Sequence, residues 1–167
     1  MTHPSRRILG SSVLAPVLAI ALAASTLAAS TATYTYTLSG FETSATSTVG
    51  TFVGVGTAAD DAGTWSAPIV HTVLTNGTAT IAGGTFDYDG TVRDIDGTFD
   101  YGDSLTQTGG FTGCTKQTYN VTGSLTLTVP SSGTGTFSAV LTHYRIRLFG
   151  QCIIYAATVK GGATFTF

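Results

Sequence analysis

Asp87, Asp89, Asp94, Asp96, Asp100 and Asp103 are six of the nine acids in this 167-residue chain, and they crowd into one short stretch. In Asp87-Tyr88-Asp89-Gly90 and again in Asp94-Ile95-Asp96-Gly97, two carboxylates alternate ahead of a glycine, as oxygen ligands do in part of a calcium loop. Calcium is therefore the one cofactor these residue types suggest, with Asp87, Asp89, Asp94 and Asp96 as its ligands. The third alternating ligand and the downstream Glu of the helix-loop-helix motif are missing. A solvated strand face with acidic turns, which also keeps sheet edges from pairing, accounts for the same residues.

A second set is cationic. His143, Arg145 and Arg147 alternate, so on a strand they share one face and form a rim able to accept a carboxylate or phosphate; a plain solvated face is the competing reading. Trp65, in Gly63-Thr64-Trp65-Ser66, reads as a loop residue whose exposed indole would anchor a ligand. His71 lies among Pro68, Ile69, Val70, Val73 and Leu74 and reads as a buried or half-buried core histidine. There is no G-x-S-x-G elbow and no recognisable Ser, His and Asp arrangement, so no catalytic residue is assigned. An enzyme therefore ranks below a binding or structural protein. Acid–base work by two carboxylates would need burial to separate their pKa values.

The elements that must position these residues are strands. From Tyr119 to Val129 apolar residues alternate with Asn, Thr and Ser, a period of two. Thr alternates with Tyr34 and Tyr36 near the start, and no segment beyond the N-terminal stretch carries an apolar stripe at helical spacing. Strands are expected over 33–39, 46–55, 67–74, 77–88, 92–101, 105–112, 117–129, 134–149 and 152–167. Turns are marked by Asn76-Gly77, Asp89-Gly90 and Pro130-Ser131-Ser132-Gly133, with Gly161-Gly162 a turn or a bulge. Gly84-Thr85-Phe86-Asp87-Tyr88 is echoed by Gly97-Thr98-Phe99-Asp100-Tyr101, as two arms of one hairpin or neighbouring strands would be. In the strand from Thr134 to Phe149 the apolar phase changes near Leu141, which predicts a bulge or a corner there. The fold class is all-β: an antiparallel β-barrel of about eight strands, or alternatively a two-sheet β-sandwich.

Arg6 and Arg7, an apolar stretch from Ile8 to Leu27 and small residues through Ala32 read as a signal peptide helix over 1–32, ahead of a single β domain over 33–167. An uncleaved anchor is the alternative, and it is the one membrane contact expected. Five basic residues then remain against nine acids, a formal net charge of −4. That balance argues against nucleic acid and against electrostatic docking on anionic lipid. The location expected is secreted or cell envelope, in a bacterium. Cys114 and Cys152, the only cysteines, pair into a disulfide in such an oxidising setting, and closing a loop of that length contributes about 4 kcal/mol on a chain-entropy argument. The partner expected is a small hydrophobic or carbohydrate ligand, because small barrels hold one ligand at the mouth.

The stretch Gly77-Thr78-Ala79-Thr80-Ile81-Ala82-Gly83-Gly84-Thr85-Phe86 resembles the Gly-Thr-rich strand and turn of allene oxide cyclase and dirigent-type barrels. That resemblance implies an eight-stranded antiparallel barrel with an apolar cavity, and a cyclising or steering role on a hydrophobic intermediate. It assigns no catalytic residue here. The export signal, Thr-rich strands and one cysteine pair also resemble uncharacterised secreted actinobacterial β proteins. The C-terminal alternation ending in Phe165 and Phe167 is similar to the closing strand of a small outer-membrane β-barrel, a further alternative.

Overall fold

Nine strands follow one another by short turns: β1 (Thr33–Ala45), β2 (Val49–Thr57), β3 (Ala62–His71), β4 (Thr78–Gly90), β5 (Asp94–Phe99), β6 (Ser104–Gly109), β7 (Gln117–Val129), β8 (Thr134–Leu148) and β9 (Gln151–Thr166). The structure, a computed structural model, describes residues 31–167, so the signal peptide expected over 1–32 lies almost wholly outside the described residues. Every pairing is antiparallel, and the β3–β4 and β6–β7 ladders join what would otherwise be open edges. The sheet is therefore a closed barrel, and closure excludes the two-sheet sandwich.

Nine strands make eight staves because β5 and β6 share one. β5 pairs with the C-terminal halves of β4 and β7, and β6 with their N-terminal halves. The chain breaks between them at Asp100–Asp103. The break is tied back into the wall: Ile81 N–H donates to the Asp103 carbonyl, Gly102 N–H to the Ile81 carbonyl, and Ser124 N–H to Asp103 Oδ2 at 2.7 Å. The echoed segments are neighbours, with Thr85 opposite Thr98 and Phe86 opposite Gly97.

Alternation sends Tyr36, Phe52, Trp65, Ile81, Phe86, Tyr88, Ile95, Leu125, Leu127, Leu141 and Phe165 into one buried core inside the barrel. Thr33, Thr35, Thr37, Thr122, Thr126 and Thr128 face water. Burying one large apolar side chain contributes about 1.5–3 kcal/mol, so the interior, rather than any strand alone, holds the barrel shut.

Several boundaries differ from the sequence expectation. β3 begins at Ala62 instead of 67, so Trp65 is a strand residue and not a loop residue. Its indole needs room that two glycines supply: a Cβ at Gly40 would lie 2.6 Å from the ring, and one at Gly54 2.8 Å from it. Glycines weaken a strand as a local signal, which is why the sequence reads as loop there. Asp89-Gly90 ends β4, and the turn itself is formed by residues 91–93. Gly161-Gly162 sits in an unbroken register, with Gly161 opposite Ala139 and Gly162 opposite Ser138, so it is neither turn nor bulge. The bulge lies instead at Tyr155, between the Tyr144–Ala156 and Arg145–Ile154 pairs. No corner forms at Leu141. The inward phase runs on through Phe137, Ala139, Leu141 and His143, and the apolar residues of the other phase, Val140, Ile146 and Leu148, are exposed on the outside.

Candidate functional site

The two ends of the barrel are built differently. At the end where β2 runs into β3, Asp61 turns inward and its side chain has no exposed surface. It accepts hydrogen bonds from Tyr36 Oη at 2.9 Å, Val92 N–H at 3.0 Å and Thr91 Oγ1 at 3.2 Å. Burial alone would raise its carboxyl, but the Tyr36, Val92 and Thr91 hydrogen bonds and one from Ala62 N–H outweigh it and hold the group below the ordinary carboxylate range. Arg93 adds its charge, with Nη1 3.8 Å from Asp61, while it pairs with both oxygens of Asp60 and lies over the Tyr34 ring, 3.9 Å from its centroid. Burial first, then the Asp61 hydrogen bond, pushes the Tyr36 hydroxyl far above its usual range. This end is a plug.

The opposite end is a mouth. β1 brings Glu42 inward, β7 brings Tyr119 and Gln117, and β8 brings His143. His143 Nε2 lies 3.2 Å from Glu42 Oε2, an ion-pair distance without the alignment of a hydrogen bond. The His143 ring meets Tyr119 edge-on with centroids 5.3 Å apart, and Tyr119 Oη donates to Gln117 Oε1 at 3.2 Å. Gly50 makes space for the carboxylate, since a Cβ there would lie 2.9 Å from Glu42 Oε1. Burial chiefly raises the Tyr119 hydroxyl; the Glu42 charge adds to this, and the Arg145 charge opposes it. Arg145 is therefore electrostatically coupled to this group, and its Nε is buried without a hydrogen-bond partner among the described residues. A buried donor left unpaired costs about 1–3 kcal/mol, so an acceptor arriving there would relieve it.

Between plug and mouth the interior is not filled. A cavity of about 70 Å³ is bounded by apolar residues from every stave, among them Leu38, Phe52, Trp65, Phe86, Val121, Phe137, Leu141, Val159 and Phe165. It is larger than one water's share of liquid volume, roughly 30 Å³, yet offers that water no polar partner, and such cavities stay dry.

His143 thus comes together with Glu42 and Tyr119, neither of which is a candidate on sequence, while Arg145 follows two residues on along β8 and acts on Tyr119 through its charge. Arg147 does not join them; it is exposed on the β8–β9 hairpin beyond the mouth, opposite Cys152. Trp65 is only 6% exposed and donates Nε1–H to the Val55 carbonyl at 3.1 Å, which corrects the expectation of an exposed loop anchor; it lines the cavity instead. Asp87 faces Asp96 and Asp89 faces Asp94 across β4 and β5 on the outer wall. Burial first, then the Asp87 and Asp94 charges, raises the Asp96 carboxyl. Among the described residues no three His, Cys, Asp or Glu side chains are gathered as a metal ion would need. His71 is half-buried at the end of β3, its Nδ1 2.8 Å from the Thr72 carbonyl. Cys114, in the loop before β7, is bonded to Cys152 at the start of β9, with Cα atoms 5.5 Å apart.

Fold and site define a small closed β-barrel with a dry lumen, one plugged end and one polar mouth. No protein-family model, no curated protein and no solved structure matches the chain.

Proposed function

We propose that this is an exported binding protein for a small amphipathic acid, whose short apolar tail enters the lumen and whose carboxylate meets Arg145 and His143 at the mouth. The observation that carries the reading is a dry apolar cavity whose wall includes Leu141 of β8, with a buried, unpartnered Arg145 Nε four residues further along the same strand. Guanidinium is the side chain best suited to a carboxylate, and Glu42 beside His143 leaves the Arg145 charge for the ligand. The Cys114–Cys152 bond fits an oxidising, extracytoplasmic setting. The wall supports this reading over an outer-membrane barrel, because apolar residues point inward and threonines outward, the reverse of a lipid-facing barrel. The cyclising role is a weaker alternative: an eight-stranded barrel with an apolar cavity is present, but fold alone carries no chemistry.

Calorimetric titration with hexanoate, hexanol and hexylamine tests it. Hexanoate is expected to bind, hexylamine is not, and Arg145→Met should weaken hexanoate by about tenfold to a hundredfold while leaving hexanol unchanged, as loss of one charged hydrogen bond implies. Binding by none of the three, or equal binding of acid and amine, contradicts the reading.

A further inference from the structure

The β8–β9 hairpin continues past the barrel mouth, and its outer face is apolar. Ile146 stands opposite Ile153, Tyr144 and Tyr155 have ring centroids 6.3 Å apart, and Leu148 closes the hairpin opposite Gln151. Ile146, Leu148, Ile153 and Tyr155 are 45%, 39%, 43% and 65% exposed. The tip is stranger still. Phe149 and Gly150 form a two-residue turn with φ of 48° and 80°, almost the values of the Asn76-Gly77 turn at 53° and 79°. Such turns favour Asn or Gly at the first position, because a bulky side chain is strained at positive φ. Here that position holds Phe149, 99% exposed. Neither turn propensity nor burial explains a phenylalanine there.

Charge identifies what covers it. All nine acids lie at or before Asp103, whereas Lys116, Arg145, Arg147 and Lys160 follow it. The modest net charge hides this division. The hairpin and the loop bonded to it through Cys114–Cys152 therefore carry cations and no carboxylate. An exposed apolar tip with Arg147 two residues before Phe149, tied by the disulfide to the loop that carries Lys116, has the composition that enters an anionic bilayer interface: apolar residues go below the headgroups and cations stay among them.

We propose that the hairpin tip, led by Phe149, docks this protein on an anionic lipid surface. Docking is independent of the lumen ligand, although it would set the barrel mouth against the bilayer. The test is co-sedimentation of the exported chain with vesicles of phosphatidylcholine alone and of equal parts phosphatidylcholine and phosphatidylglycerol. Binding is expected to the anionic vesicles and to fall as salt rises. Phe149→Ser should lower it by about tenfold or more, as expected for loss of one large buried apolar side chain. Arg147→Ser should lower it by about fivefold, from loss of one surface cation. Both positions are exposed, so unchanged melting and near-ultraviolet dichroism are expected to show that the variants remain folded. Absence of binding to either vesicle, or full binding by Phe149→Ser, overturns the proposal. So does a chain that self-associates through the hairpin, with Phe149→Ser giving monomers and no vesicle binding, since the occupant is then a second copy.

Discussion

Asp61 has no exposed side-chain surface, yet its carboxyl is held below the ordinary range because Tyr36, Val92, Thr91 and Ala62 donate to it. Its pKa is depressed in the folded chain, so the unfolded chain binds the proton more readily. The stabilisation is complete above about pH 4, the ordinary carboxylate value, and is lost as pH falls through the lower folded value. Asp61→Asn is expected to cost about 2–4 kcal/mol at pH 7, with the gap to the parent narrowing in acid. Urea unfolding at pH 7 and pH 3 checks this; a gap that stays constant would mean that the charge is not what matters. At this scale the sequence was only partly legible. Glu42 is the sole glutamate of the chain and follows Tyr36, Leu38 and Gly40 in the inward phase, a signal that was available. The sequence expectation ends the first strand at 39, which leaves Glu42 outside it. Alternation singles out His143 and Arg145, but alternation alone cannot tell an inward mouth from an outward rim, and Arg147 shows the difference.

Among the elements, the β1–β2–β3 wall depends on where it lacks side chains. A Cβ at Gly54 would meet the Ser39 carbonyl oxygen, lie 2.7 Å from Gly40 Cα and press on the Trp65 ring. Gly54→Ala is therefore expected to destabilise the barrel by about 1–3 kcal/mol through overpacking, read as a lower melting temperature and a red shift of the single tryptophan's emission. A variant as stable as the parent, with unshifted emission, would show that the wall can yield. The same glycines hid β3: they open the pattern around Trp65 to a loop reading, whereas β7 and β8, with regular alternation, were placed to within a residue or so. Two residues were ambiguous for a physical reason. Tyr144 and Ile146 continue an apolar alternation out of the barrel, and a period of two does not say whether the dry face meets a core or a surface.

At the scale of the molecule, closure follows from pairings far apart in sequence, such as Thr33 with Thr166, which no local pattern contains. The strand count and the lack of a helical stripe beyond the N-terminal stretch are enough for the fold class; barrel and sandwich are told apart by the β1–β9 and β3–β4 ladders together, and the shared β5–β6 stave reconciles nine strands with eight positions. Strand periodicity does not disclose the lumen, because whether inward side chains fill a barrel depends on how their volumes meet across it. That lumen, a dry cavity with a polar mouth, is what the proposed binding of a small acid rests on. The most direct measurement is diffraction from crystals of the protein soaked in hexanoate. Density is expected for the alkyl chain inside the barrel against Phe52, Leu141 and Val159, with the carboxylate within hydrogen-bond distance of Arg145. An empty lumen at saturating hexanoate, or density confined to the outer wall, would contradict it.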